Sequence, residues 1–298
     1  MQVKPLDFLL IGAVKAGTTT LFELLRHHPS IFIPAGKEVY FFDNQERFAL
    51  GWDNFAGGFY AGASIDQKWG KITPRYLSEP AVPARVAEMA TQVRLIALLR
   101  NPVDRAISHY HMFVRNRPEY GFTLEEVVAS GLPASPLEKP DPRYPNIWHY
   151  GLYGESLERY LCHFQREQLL VLFSDELKAR PHAVLDLVLS HLGLDQGYRP
   201  ANLGQEYHRG GRQRFPQLVP FMRKQMKPAW KLMARLPERQ KEALKTWYAM
   251  RLNLVPETKP THDKTTRQRL VEFYRPDVRK LEAILGHRTP WPEFDDQK

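Results

Sequence analysis

The sequence has a single cysteine and no long apolar run. Cys162 stands alone among the 298 residues, so neither an intramolecular disulfide nor a cysteine-based zinc site can form. Its apolar surroundings, "YLCHF", predict a buried thiol. A helix that spans a membrane needs about 20 predominantly apolar residues, and no such stretch occurs. The N-terminal "MQVKPLDFLLIG" does not have the pattern of a signal peptide, so we expect a cytoplasmic protein.

The histidines do not form a metal-binding pattern. Among the eleven, His27 and His28 are adjacent, while His109 and His111 are two residues apart on a predicted helix. Neither pair would converge on one ion, because residues on the same helical face are three or four positions apart. We therefore expect no metal site.

Positive charge is in excess. Lys and Arg total 42 against 33 Asp and Glu, which gives a net charge of +9, while the hydrophobic fraction of 43% is that of an ordinary globular protein. A basic surface favours anionic partners, among them nucleic acids, acidic glycans, anionic lipids and polyphosphate ligands. The charge alone does not choose among them.

Short apolar segments alternate with amphipathic ones along most of the chain. "DFLLIG", "VRLIALLRNP" and "QLLVLFSDEL" predict strands, and helices are predicted after each, with Thr18 or a neighbour as cap of the first and Asn101 as cap of the second. This alternation predicts an α/β fold, a mostly parallel sheet flanked by helices. A long surface loop is expected within 116–147, a basic loop over 204–216, and a solvated helical face over 222–251.

The segment "IGAVKAGTTT" predicts an anion-binding loop between the first strand and the first helix. Backbone N–H groups at a helix N-terminus bind anions, and glycines let the ligand approach closely. The candidate ligand-binding residues are Lys15, Ala16, Gly17, Thr18, Thr19 and Thr20. A Walker A loop has the pattern G-x-x-x-x-G-K-[ST], and here Thr18 stands where its lysine would be. The loop is therefore P-loop-like, but the missing lysine counts against hydrolysis of ATP or GTP.

A second anion site is predicted where "LLRNPVDRAISHY" begins its helix. Arg100 lies at the end of a strand, where ligands bind in open parallel sheets, and Ser108 lies two turns into the following helix. Arginine makes bidentate contacts with phosphate. Two phosphate sites suit a nucleotide that carries phosphates on both sides of its ribose.

These two segments resemble the sulfotransferases that use 3′-phosphoadenosine 5′-phosphosulfate (PAPS). "KAGTTTL" is similar to their 5′-phosphosulfate loop, and Arg100 and Ser108 match the pair that holds the 3′-phosphate. The resemblance covers most of the chain and is weakest from about 205 to 255. It implies one sulfotransferase domain over residues 1–298, with PAPS as co-substrate, 3′-phosphoadenosine 5′-phosphate (PAP) as product and no metal.

The resemblance also implies two catalytic residues. Glu38, in "GKEVYFFD", matches the general base of heparan sulfate sulfotransferases and their bacterial relatives, and Lys15 is placed to stabilise the PAP leaving group. In "GKITPRYL", however, Lys71 falls one residue before the position of the family's second lysine, which reverses its side-chain direction in an extended segment. Lys259 and Thr261 are weak candidates for the basic loop before the last helix.

The sequence thus predicts a PAPS-dependent sulfotransferase that acts on an acceptor hydroxyl or amine. A glycan, a lipid, a small alcohol and a carrier-bound acyl chain all remain open as acceptors, as does the oligomeric state. Two alternatives are a P-loop kinase or NTPase and a basic nucleic-acid-binding protein. The absent Walker lysine counts against the first, and the second would leave both phosphate motifs unexplained, so no nucleic-acid partner is expected.

Overall fold

A five-stranded parallel sheet forms the centre of the protein. The computed structural model describes residues 3–34, 38, 40–117, 121–132, 146–205, 211–213, 254–256 and 263–295. The strands are β1 (Phe8–Gly12), β2 (Ile31–Phe32), β3 (Lys68–Ile72), β4 (Arg94–Leu99) and β5 (Leu169–Phe173), in the order β2-β3-β1-β4-β5 with every neighbouring pair parallel. A separate antiparallel pair joins β6 (Gly211–Gln213) to β7 (Leu254–Pro256).

Helices follow the strands, as the alternating pattern predicts. They are α1 (Thr18–Leu25), α2 (Gln45–Ala49), α3 (Trp52–Phe59), α4 (Val82–Met89), α5 (Pro102–Asn116), α6 (Leu124–Ala129), α7 (Tyr153–Leu161), α8 (Ser174–Ala179), α9 (Pro181–His191) and α10 (Lys264–Leu285). Short 3-10 turns cover Pro74–Ser78 and His149–Gly151. The predicted α/β fold class is confirmed.

Strands β1 and β5 are apolar along their length, and β4 is apolar after Arg94, because the sheet is buried on both faces. Every residue of β1 is buried, and so are five of the six residues of β4. Gly70 on β3 faces the ring of Phe8 so closely that an added Cβ would lie 2.0 Å from the ring. A side chain at position 70 would therefore push β1 and β3 apart.

Helix α10 is fastened to α7 by a buried carboxylate. Asp277 accepts hydrogen bonds from the backbone N–H groups of Gly154 and Glu155, each at 2.8 Å. Burial nevertheless raises the pKa of Asp277 to about 6. An added Cβ at Gly154 would lie 2.5 Å from the Asp277 carbonyl, so this glycine is required for the close contact of the two helices.

One local prediction is corrected. Cys162 is exposed, because α7 ends at Leu161 and the cysteine caps the helix. Gly17, the neighbour of Thr18, is the N-cap of α1. Within the range 116–147, where a surface loop is predicted, helix α6 begins with a capping box between Thr123 and Glu126, and residues 118–120 and 133–145 lie outside the described residues.

Other expectations fall where the structure gives no description. Within the basic loop predicted over 204–216, residues 211–213 form β6, and residues 206–210 and 214–216 lie outside the described residues. The helical face predicted over 222–251, Lys259 and Thr261 also lie outside them. No helix in the described part of the chain is both long and apolar enough to cross a membrane.

Candidate nucleotide-binding and catalytic site

The predicted site residues lie at the carboxyl edge of the sheet. Strand β1 is the central strand, and its last residue, Gly12, pairs with Ala97 of β4. The N–H of Ala13 donates to the carbonyl of Leu98 at 2.7 Å, so the chain leaves the sheet only after this contact. The loop over residues 13–17 therefore begins beside the end of β4, close to where Arg100 follows.

Two glycines of the loop are required for different reasons. An added Cβ at Gly12 would lie 2.5 Å from the Cβ of Leu77, because the end of β1 packs against the 3-10 turn Pro74–Ser78. Gly17 has φ of 97°, a left-handed conformation that glycine adopts without strain. The first glycine thus serves packing, and the second serves the turn into α1.

Helix α1 begins with its N-terminus at this edge. No side chain in the described structure caps it at Gly17. Thr18 is buried, Thr19 and Thr20 are half-buried, and Ala16 is buried beneath the loop. Backbone N–H groups at an eight-residue helix, with a partial positive charge from the helix dipole, have the chemistry that binds a phosphate or sulfate oxygen. The local structure therefore fits an anionic group.

The structure brings Arg100 and Lys15 together. Nη1 of Arg100 donates to the carbonyl oxygen of Lys15 at 3.2 Å, and the hydroxyl of Tyr153 donates to the carbonyl of Arg100 at 2.9 Å. Nζ of Lys15 lies 3.8 Å from Sδ of Met112 on α5. Two predicted anion-binding segments, 85 residues apart in the sequence, therefore form one continuous site.

Helix α5 places Ser108 in the same region. Asn101 caps this helix as predicted, since its side chain accepts from the N–H groups of Val103 and Asp104 at 3.0 and 3.2 Å. Ser108 is half-buried and lies two turns after Arg100. Met112, one turn beyond Ser108, already contacts Lys15, so this part of α5 borders the loop.

Glu38 lies at the same edge, beyond β3. Its N–H donates to the carbonyl of Ile72 at 3.2 Å, and Ile72 pairs with Leu10 of β1. The side chain of Glu38 is exposed. Burial and then the negative charge of Glu38 raise the pKa of Tyr40, which shows that these two side chains are neighbours.

Lys15 and Glu38 share an unusual backbone conformation. Their φ angles are 69° and 66°, and they are the two non-glycine residues with positive φ that are recorded among the described residues. Such a conformation costs roughly 1–3 kcal/mol per residue and clusters at functional sites. The sequence motifs and the strained backbone therefore indicate the same two residues independently.

Lys71 points into an aromatic pocket. It is buried, and its Nζ lies 5.0 Å from the ring centre of Phe55 and 6.0 Å from that of Tyr76. Burial lowers the pKa of Lys71 to about 7, and the charge of Asp43 opposes this shift. Near this pocket, the half-buried Arg75 forms ion pairs with Asp43 at 3.6 Å and with Glu79.

Sequence reasoning missed a buried group behind the site. Arg105 on α5 is fully buried, and its Nη1 lies 3.2 Å from Nδ1 of His109. Tyr150 packs against His109 with 5.4 Å between ring centres. The sequence contains one signal for this group, because Arg105 lies one helical turn before His109 and the two therefore share a face of α5.

The arrangement as a whole defines a class of protein. It is an α/β protein with a P-loop-like strand–loop–helix, and the carboxyl edge of its sheet carries the basic residues Lys15 and Arg100 and the exposed carboxylate of Glu38. Over the described ranges, no group of three or more His, Cys, Asp or Glu side chains is arranged to hold a metal ion.

Comparison with known proteins gives the family. The model of the sulfotransferase domain matches residues 5–256, and the chain therefore belongs to the sulfotransferase family. The chain is 28% identical over 291 residues to human heparan sulfate glucosamine 3-O-sulfotransferase 3B1, covering 95% of this chain and 64% of that protein. It is 29% identical over 295 residues to mouse heparan sulfate glucosamine 3-O-sulfotransferase 5, covering 95% and 73%.

A solved structure supports the fold. The sulfotransferase from Alicyclobacillus acidocaldarius superposes with a TM-score of 0.65 and 24% identity, covering 96% of this chain and 98% of that one. The chain spans slightly less than two thirds of the human relative named above. The family resemblance drawn from the two sequence motifs is thus confirmed.

Proposed function

We propose that this protein transfers the sulfuryl group of PAPS to an acceptor hydroxyl or amine. The observation that carries the proposal is the coincidence at Lys15 and Glu38, which the motifs select and which also have strained backbones at one edge of the sheet. The bound nucleotide would supply an activated sulfuryl group on its 5′-phosphate. Sulfotransferases generally use this donor, so the family supports the choice.

The donor would be held by two sets of groups. The N–H groups and hydroxyls of Thr18, Thr19 and Thr20, with Ala16 and Gly17, would bind the phosphosulfate at the N-terminus of α1. Arg100 and Ser108 would bind the 3′-phosphate. These residues fit the donor because the N-cap of α1 is Gly17, which has no side chain, and the Arg100 guanidinium already reaches the loop.

Two residues would carry the chemistry. Glu38 takes the acceptor proton while the bond from acceptor oxygen or nitrogen to sulfur forms and the bond from sulfur to the bridging oxygen breaks. Lys15 neutralises the charge that develops on that bridging oxygen. A positioned base contributes about 10²–10⁴-fold to such a step.

The acceptor we favour is a glycan. Two of the relatives carry heparan sulfate glucosamine 3-O-sulfotransferase in their names, and mouse bifunctional heparan sulfate N-deacetylase/N-sulfotransferase 4 is 34% identical over 200 residues. That match covers 64% of this chain and 22% of the relative. The net charge of +9 suits an anionic polysaccharide as well as the donor.

Ligand binding and an acceptor screen test the proposal. PAP should raise the melting temperature more than AMP does, because only PAP carries the 3′-phosphate, and ATP with magnesium should raise it less than PAP. Mass spectrometry should then detect a sulfated product from labelled PAPS with desulfated or N-sulfated heparan oligosaccharides, and not with neutral oligosaccharides. Equal stabilisation by AMP and PAP would contradict the assigned 3′-phosphate site.

A further inference from the structure

Arg105 fixes the protonation state of the histidine one turn after it. Nη2 of Arg105 donates to the carbonyl of Ile147 at 2.7 Å and to the hydroxyl of Tyr274 at 3.4 Å. Nη1 lies 3.2 Å from Nδ1 of His109. A guanidinium has only donors and keeps its proton, so Nδ1 of His109 must be the acceptor in this contact. The proton of the neutral ring is therefore on Nε2.

The surroundings of His109 keep the ring uncharged. Burial, followed by the charges of Arg105 on the same helix and Lys15 in the loop, holds the pKa of His109 well below its usual value. His149 also contributes, and burial and then Arg105 lower its own pKa to about 4. Tyr150, another titratable group, contacts both histidine rings. The imidazole is thus neutral at physiological pH.

His109 faces the loop that carries Lys15. It follows Ser108, and Met112, three residues further along α5, contacts Nζ of Lys15 at 3.8 Å. Residues three apart share a helical face, so His109 lies on the side of α5 that borders Lys15. The effect of the Lys15 charge on the pKa of His109 gives independent evidence of this proximity.

The other side of His109 leads toward Glu38. The ring of Tyr150 lies 5.4 Å from that of His109, and burial raises the pKa of Tyr150, which the charges of Arg75 and Tyr40 also affect. Tyr40 is in turn the neighbour of Glu38. His109 is therefore bordered by the Lys15 loop on one side and by Tyr150 on the other.

We propose that His109 is a further catalytic residue, a neutral donor whose Nε2–H hydrogen-bonds a sulfuryl oxygen during transfer, and that Arg105 is the positioning residue that fixes its tautomer. The inference rests on the proposed function. His109 keeps its proton throughout, while the acceptor proton goes to Glu38. Because Nε2 already carries hydrogen, His109 cannot serve as the general base.

Two substitutions separate this role from simple packing. In His109→Gln the amide nitrogen can reach the position of Nε2 and donate, whereas in His109→Asn the shorter amide reaches only the region of Nδ1. We expect kcat of the Gln variant to stay within about tenfold of wild type and that of the Asn variant to fall about 10²–10³-fold, the usual effect of losing one oxyanion donor. Calorimetry should give the same PAP affinity for both.

Nitrogen NMR of the intact protein tests the role of Arg105 without any turnover. With ¹⁵N-labelled histidine, His109 should show a protonated Nε2 and an unprotonated, hydrogen-bonded Nδ1, unchanged between pH 6 and pH 8. A proton on Nδ1, or an imidazolium, would overturn the assignment. If the wild-type protein uses PAPS and His109→Asn turns over equally fast, the catalytic role of His109 is overturned but the proposed function is not. Wild-type protein that transfers nothing from PAPS would overturn the proposed function as well, and the NMR result would still decide the tautomer.

Discussion

The two halves of the candidate site are built in different ways. On the side proposed to bind the nucleotide, called the nucleotide side below, Lys15 and Thr18 lie in one loop and Arg100 and Ser108 in one strand-to-helix segment, so each set is continuous in sequence. On the side that carries Glu38, called the acceptor side below, Glu38 and Asp43 come from one short segment and Lys71 and Arg75 from another, and a side-chain ion pair of Arg75 and Asp43 at 3.6 Å joins the two segments.

The two sides of the site also differ in the contacts that hold their residues in place. The nucleotide side is fixed by backbone contacts, such as Arg100 to the Lys15 carbonyl and Ala13 to Leu98. The acceptor side combines an exposed carboxylate with a buried lysine and an ion pair of Arg75 and Asp43. We infer that the first half is a preformed anion site and that the second holds the groups whose charge decides the reaction.

Glu38→Gln should have the largest effect of the substitutions. If it did not separate turnover from PAP binding, the distinction between the two sides of the site would be wrong. The amide cannot accept the acceptor proton, so turnover should fall about 10²–10⁴-fold. Affinity for PAP should not change, because Glu38 belongs to the acceptor side. Steady-state kinetics and calorimetry measure the two quantities, and Glu46→Gln on α2, also exposed, is the matched control. A fully active Glu38→Gln enzyme would contradict the assignment.

Lys71→Met should stabilise the protein at neutral pH. Burial lowers the folded-state pKa of Lys71 to about 7, so the unfolded chain binds more protons between pH 7 and about pH 10.4. Wild-type stability should therefore rise with pH across this interval, and the penalty is complete below pH 7. The variant lacks this dependence and should gain a few kcal/mol at pH 7, at most about 5, with less gain at pH 10.

Urea denaturation at several pH values measures this difference. Lys68→Met, on the same strand but only half-buried, is the control and should show little change at either pH. A Lys71→Met protein that is less stable than wild type at pH 7 would show that the aromatic pocket and Asp43 stabilise the ammonium more than burial opposes it.

The nucleotide side was predictable because its information is local. The strand, the glycine loop and the helix that follows are consecutive, and the Asn101 cap lies directly before the helix it stabilises. Spacing along the sequence therefore translates directly into position at the sheet edge. Glu38, in contrast, is selected by the family resemblance, and only the fold shows that its N–H donates to the carbonyl of Ile72.

The rest depends on contacts that the sequence does not place. Lys71 is buried because Phe55 and Tyr76 fold over it, and no local pattern relates these three residues. The prediction of a buried Cys162 was wrong because the apolar neighbours belong to α7, which stops one residue earlier and turns the thiol outward. The Arg105–His109 contact likewise depends on Ile147 and Tyr274, which accept hydrogen bonds from Arg105 and hold its guanidinium in place.

Gly12→Ala tests how rigid the nucleotide side is. The new methyl group would meet Leu77 at 2.5 Å, so the end of β1 and the 3-10 turn must separate. We expect a loss of about 1–3 kcal/mol in unfolding free energy, the usual effect of overpacking, with weaker PAP binding. Gly58→Ala is the control, since nothing lies within 4 Å of its added Cβ and alanine favours the helix. If the unfolding free energy and PAP affinity of Gly12→Ala equal those of wild type, the end of β1 and the 3-10 turn can move apart at little cost.

Ser108→Ala should have the smallest effect and locates the boundary of the nucleotide side most sharply. Loss of one hydroxyl hydrogen bond costs about 1 kcal/mol, so PAP affinity should fall about fivefold while AMP affinity stays the same. Arg100→Ala is a less clean test, because Arg100 also donates to the Lys15 carbonyl and its loss would disturb the loop. Calorimetry with both nucleotides measures the difference, with Ser190→Ala on the exposed face of α9 as control. Equal weakening for PAP and AMP would place Ser108 away from the 3′-phosphate, and the preformed half of the site would then depend on Arg100 and the loop alone.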